Sequence, residues 1–199
     1  MRSRTVSPDR YPAGKRPRRL IRGWLPVFVI LMLPCVSSSQ IRELPLKALF
    51  LEAAVRFITW PPDTGAISSA PPQLTIGVFS GDRLIPHVTE AFRQNHIRGQ
   101  KVRLLTIRNL HDIDSCMILI IPRTQASRLG RYVDYCKDRP ILTVCDTPAF
   151  VREGVILSIA IENQRISCTL NKPSADAAGL KISHHLLQKA TVLDSRGNP

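Results

Sequence analysis

The run Cys116-Met117-Ile118-Leu119-Ile120-Ile121 is apolar at six consecutive positions. A strand with no polar position has no face to give to water, so it must sit inside a sheet covered by helices on both sides. Its neighbours supply such a sheet. Leu74–Phe79 is a β-rich run closed by Ser80-Gly81-Asp82, and Leu84–Gln94 then sets Ile85, Val88 and Phe92 on one face of a helix. After the turn Arg98-Gly99-Gln100, Val102–Ile107 reads as a second strand. Arg123–Lys137 carries Leu129, Val133 and Cys136 at helical spacing and must end before Pro140. Ile141–Val144 is a further strand, and Asp146-Thr147-Pro148 opens a short helix with Asp146 or Thr147 as its cap. Val155–Ile161 and Arg165–Leu170, joined by Glu162-Asn163-Gln164, form an antiparallel hairpin, and 171–190 is helical with a break at Gly179. Short links between alternating strands and helices predict a single-domain α/β fold. Its largely parallel sheet is flanked by helices on both faces, carries a C-terminal antiparallel hairpin, and has the Cys116 strand at its centre.

Ahead of this pattern, Leu44, Ala48, Leu51, Val55 and Ile58 recur at three- and four-residue spacing, an amphipathic helix that stops at Trp60 because Pro61 and Pro62 follow. Residues 61–72, rich in Pro, Ser, Gly and Ala, read as a loop. The first 39 residues have a different character. Eight Lys/Arg and one acid lead into the apolar stretch Gly23–Pro34 and then Ser37-Ser38-Ser39, the order of a cleaved export signal. The competing readings are an uncleaved anchor and a buried helix, the latter opposed by Pro26 and Pro34. The domain expected after cleavage is 40–199, and the location is periplasmic. The formal charge of +13 falls to twenty basic against fourteen acidic side chains once that leader is removed. No basic run with interleaved aromatics remains, so a nucleic-acid partner is not indicated.

Export makes the cysteines informative. Cys116, Cys136, Cys145 and Cys168 remain, an even number in a compartment that permits disulfides. A helix returning along the sheet brings Cys136 toward the start of the Cys116 strand, leaving Cys145 and Cys168 as the second pair. Four buried thiols are the alternative. Cys-x-x-Cys spacing, a phosphate loop, a Gly-x-Ser-x-Gly elbow and a metal-ligand cluster are all missing from the sequence, so no catalytic residue, metal or cofactor is assigned. His111-Asp112 and His184-His185 stand as isolated pairs.

Taken together, Leu46–Phe50, Phe57-Ile58-Thr59-Trp60-Pro61, Ile97–Gln100, Cys116–Ile120, Pro140–Val144 with Asp146, Phe150–Gly154, Asn171 and Ala178–Ser183 with Leu186-Leu187 resemble the YfiR family of periplasmic proteins, in order and over most of the chain. The resemblance implies a repressor that binds the periplasmic domain of an inner-membrane diguanylate cyclase and lowers cyclic di-GMP output. It also implies release by an outer-membrane lipoprotein, homodimers, and disulfides that couple activity to redox state. Relatives carry a cysteine in the first strand, the usual partner of the one at Cys116, where this chain has Ile76-Gly77-Val78. The candidate partner-binding residues are Phe57, Trp60, Pro61 and Pro62, with Trp60 as an aromatic anchor or, alternatively, a core residue closing the first helix. A second function class is a small-ligand sensor holding an anion at Asp82 and Arg123, beside the carboxyl ends of the strands.

Overall fold

A computed structural model describes residues 39–62, 73–94 and 101–194, within the compact unit Ser38–Pro199. The leader up to Ser38, the loop after Pro62 and the turn Arg98-Gly99-Gln100 lie outside the described residues. Strands β2 (Leu74–Phe79), β3 (Val102–Ile107), β4 (Ile118–Ile121), β5 (Leu142–Cys145), β6 (Leu157–Glu162), β7 (Arg165–Asn171) and β9 (Thr191–Leu193) form one sheet in the order β3-β2-β4-β5-β6-β7-β9. The first five are mutually parallel, β7 returns antiparallel to β6, and β9 runs parallel to β7 at the edge. The expected α/β class and hairpin are thus present, and the hairpin is covered by one more strand. Asn163 and Gln164 make its turn with φ of 50° and 63°, the paired left-handed geometry whose twist matches a two-residue hairpin.

Alternation along the strands divides the core in two. Ile76, Val78, Ile118, Ile120, Leu142 and Val144 point to one face, where helices α1 (Ser39–Val55) and α2 (Ile85–Gln94) cover them. Phe79, Leu119, Ile121 and Cys145 point to the other, against the 3-10 helix Leu110–Ser115, α3 (Leu129–Cys136) and α4 (Ala149–Arg152). All four residues of β4 are buried, as the apolar run requires.

Several boundaries differ from the sequence reading. Helix α1 begins at Ser39, taking in Pro45, and ends at Val55, short of the expected Trp60. It ends there because Ile58-Thr59 (β1) leaves to pair antiparallel with Lys181-Ile182 (β8), and the Ser183 N–H donates to the Phe57 carbonyl. The expected helical tail is cut into α5 (Lys172–Ala177), β8, α6 (His184–Leu187) and β9. Only α5 keeps the anticipated start, the Asn171 side chain accepting from the Ser174 N–H at 2.9 Å. Helix α4 starts after Pro148 without the side-chain cap expected from Asp146 or Thr147. The segment 123–137 opens with a 3-10 helix, Arg123–Arg128, before α3.

Gly154 closes α4 with φ of 110°, and a Cβ there would lie 2.6 Å from Val133 Cγ1. Gly154→Ala therefore combines left-handed strain with a core clash and is expected to cost about 2–4 kcal/mol, read as a lower urea midpoint with an unchanged slope.

Candidate functional site

Helix α1 buries the stripe anticipated from its periodicity: Ala48, Leu51 and Val55 are fully enclosed, and Leu44 is half-buried. The same helix is also apolar on its outer face. Leu46 and Leu49 are 42% and 52% exposed, Ala53 is exposed one turn on, and Phe57 just past the helix end is 41% exposed. These positions, at i, i+3, i+7 and i+11, lie along one side of the helix. Leu46, Leu49 and Phe57 are the large hydrophobic side chains exposed among the described residues, and all three fall on this stripe. Glu52 and Arg56 flank it, joined by a 2.8 Å hydrogen bond from Nε to Oε1.

Phe57 extends the stripe onto the β1–β8 ribbon, where its ring meets that of His185 at 6.2 Å. Of the other residues singled out beside it, Pro62 is exposed and Pro61 half-buried, its Cγ 3.1 Å from where a Cβ on Gly179 would stand. Trp60 differs from both. Its ring packs against the first core cluster, and its buried indole N–H has no hydrogen-bond partner among the described residues. The sequence reading missed Leu46 and Leu49, although their phase marked them: they are large apolar residues a quarter-turn or more from the buried stripe.

Asp82 and Arg123, expected together as an anion site, do not line one cleft. Asp82 Oδ1 accepts the Leu84 N–H at 2.9 Å, capping the approach to α2. It lines a small apolar cleft between α1 and the ends of β4 and β5, with Lys47 and Asp146, whose charges lie 3.6 Å apart. Burial raises the Asp82 pKa, and Asp146 adds to the rise. Two carboxylates against one ammonium disfavour an anion there, and Arg123 does not line the cleft. His111-Asp112 serves the backbone: Asp112 accepts the N–H groups of Arg108 and Asn109, which lower its pKa, and completes a capping box with Asn109. Among the described residues no His, Cys, Asp or Glu group is arranged to hold a metal, and no helix is long and apolar enough to cross a membrane.

All four cysteines are buried free thiols. Cys116 and Cys136 share the second core cluster, and Cys136 feels the charge of Cys116. The other expected pair is ruled out by the sheet. Cys145 on β5 and Cys168 on β7 are separated by β6, about two strand spacings or 10 Å, and they pack on opposite faces. A disulfide needs Cα atoms within about 7 Å. Gly77 on β2 faces Cys116 directly, since a Cβ at position 77 would stand 2.8 Å from Cys116 Sγ.

Comparison with known proteins bears on this arrangement. A family model described as YfiR/HmsC-like matches residues 45–191. No curated protein matches the sequence. Among solved structures, a conserved domain protein from Vibrio cholerae is similar at 12% identity and TM-score 0.49. The ABC domain of a Streptococcus pneumoniae protein in complex with L-Trp is similar at 14% identity and TM-score 0.50. Each similarity covers 76% of this chain, which spans 60% of the length of either structure, and at 14% identity the second bears on the fold alone.

Two predictions concern the thiols. Gly77→Cys places two sulfurs at bonding distance, so mild oxidation should consume the Cys116 thiol in that variant and leave it unreacted in the parent, as read by thiol titration after denaturation. Burial pushes Cys116 and Cys168 up to about 11 and Cys136 and Cys145 up to about 12. Below pH 9 both folded and unfolded chains keep these protons. Above it the unfolded chain releases them first, so stability should fall from about pH 9 until the pH passes the folded values, by up to about 1.4 kcal/mol per pH unit for each thiol. A Cys116–Cys136 disulfide would halve that fall, a difference visible in urea melts across the alkaline range.

Proposed function

Because the chain belongs to the YfiR/HmsC-like family, we propose that it is a periplasmic regulator of cyclic di-GMP signalling whose outer α1 stripe docks on the periplasmic domain of an inner-membrane diguanylate cyclase. It acts by contact and carries out no catalysis. The observation that carries this reading is the run Leu46, Leu49, Ala53 and Phe57, apolar and open to solvent on a helix whose opposite side is already satisfied by the core. Scattered exposed leucines are ordinary, whereas a contiguous apolar face flanked by charge matches the anatomy of an interface. Residues 1–39 supply the export signal in this reading, and an outer-membrane lipoprotein relieves repression by competing for the chain. A homodimer is the resting form.

The four residues first singled out divide within this proposal. Phe57 and Pro62 contribute contact surface, while Trp60 and Pro61 hold the ribbon against the core.

Phe57→Ala and Leu49→Asp should each weaken capture of the cyclase from detergent-solubilised membranes about 30-fold, as expected for central anchors worth roughly 2 kcal/mol. Their melting temperatures should stay within a few degrees of the parent. Trp60→Ala should instead lose roughly 2–3 kcal/mol of stability through the void it leaves. Retention of full cyclase binding by both stripe variants would sink the proposal.

A further inference from the structure

A second surface, on the opposite side of the sheet from α1, has a chemistry that the partner face does not use. A cleft of about 340 Å³ opens where β2 and β3 end, closed below by the buried rings of Phe79 and Tyr132, 5.1 Å apart. Three guanidinium groups line it from three different elements: Arg108 from the turn after β3, Arg128 from the 3-10 helix, and Arg131 from α3. No carboxylate lines it, and none of these arginines forms an ion pair among the described residues. The nearby acid, Asp112, is committed to the backbone N–H groups of Arg108 and Asn109.

The neutral side chains of the cleft point to the same ligand class. Asn109 Oδ1 already accepts from the Asp112 N–H at 3.2 Å, and Gln125 Oε1 accepts from the Tyr132 hydroxyl at 3.2 Å. Each amide thus has one oxygen site taken, while its NH2 group forms no hydrogen bond among the described residues. With the Ser80 hydroxyl also lining it, the cleft offers side-chain donors and positive charge without a carboxylate. Three guanidinium groups lining one cleft supply more donors than a planar carboxylate, which one fork would saturate, and suit a tetrahedral oxyanion, whose oxygens diverge.

We propose that this cleft is a binding site for a phosphate-bearing molecule, with Arg108, Arg128 and Arg131 on the phosphate oxygens and the Asn109 and Gln125 amides completing the set. The phosphate belongs either to a soluble monoester or to a lipid headgroup. Because the cleft lies across the sheet from α1, its occupancy is measured separately from cyclase capture.

Calorimetric titration of the purified protein with glycerol 3-phosphate and with inorganic phosphate at low salt tests the soluble source. Co-sedimentation with phosphatidylcholine vesicles containing phosphatidic acid tests the lipid source. Binding in either arm should weaken at least ten-fold in the doubly substituted Arg128→Gln, Arg131→Gln protein, and should be unchanged in Arg165→Gln on the distant hairpin. The arm that responds identifies the source. Both substituted arginines are exposed, so unchanged thermal unfolding of the double variant separates lost binding from lost structure. Absence of binding in both arms, or an equal loss in Arg165→Gln, overturns the assignment.

Discussion

The parallel register of β2, β4 and β5 fixes almost everything else in this molecule. Ile76 lies opposite Ile118, and Ile118 opposite Leu142, so side chains of one parity form a common layer across three strands. Backbone hydrogen bonds hold that register, and slipping it by one residue would send each layer to the wrong face. Helices α1 and α2 owe their seats to one parity, and α3 and α4 to the other. One polar exception is accommodated inside the same scheme: Thr143, buried among apolar neighbours, has its hydroxyl bonded to the Ile156 N–H at 2.9 Å.

The same parity governs the thiols. Cys116 and Cys136 lie near the amino ends of β4 and β5, and Cys145 at the carboxyl end of β5, paired with Ile121 of β4. That sets Cys145 five residues along the neighbouring strand from Cys116, roughly 16 Å. Cys168 is alone on the opposite face. The sheet thus keeps Cys145 apart from both Cys116 and Cys168, while Cys116 and Cys136 share one core cluster as free thiols.

How much of this could be read from the sequence follows from the range of the interactions concerned. The all-apolar β4, the alternation of helices and strands, the hairpin and the inner stripe of α1 are local patterns with a period, and they were legible. The β1–β8 ribbon was not, because two-residue strands have no period of their own and form only where distant segments already lie side by side. The separation of Cys145 from Cys168 required two facts at once, the interposed β6 and the facing of each residue, and strand ends alone supply neither. Asp82 and Arg123 both follow strands at the carboxyl edge, yet they turn to different surroundings. The arginine cleft joins Arg108, after β3, to Arg128 and Arg131, two elements further on, so no single stretch of sequence announces it. The outer stripe of α1 was visible in principle: Leu46 and Leu49 are apolar and out of phase with the core.

The ribbon between Ile58-Thr59 and Lys181-Ile182 has a consequence for how the chain is assembled. The exposed end of α1 is braced by Lys181–Ser183, far along the chain, so a nascent chain has every residue of its outer stripe long before the brace for Phe57 has been made. The surface around Phe57 therefore takes its final form only once the segment through Ser183 has been made, long after α1 itself.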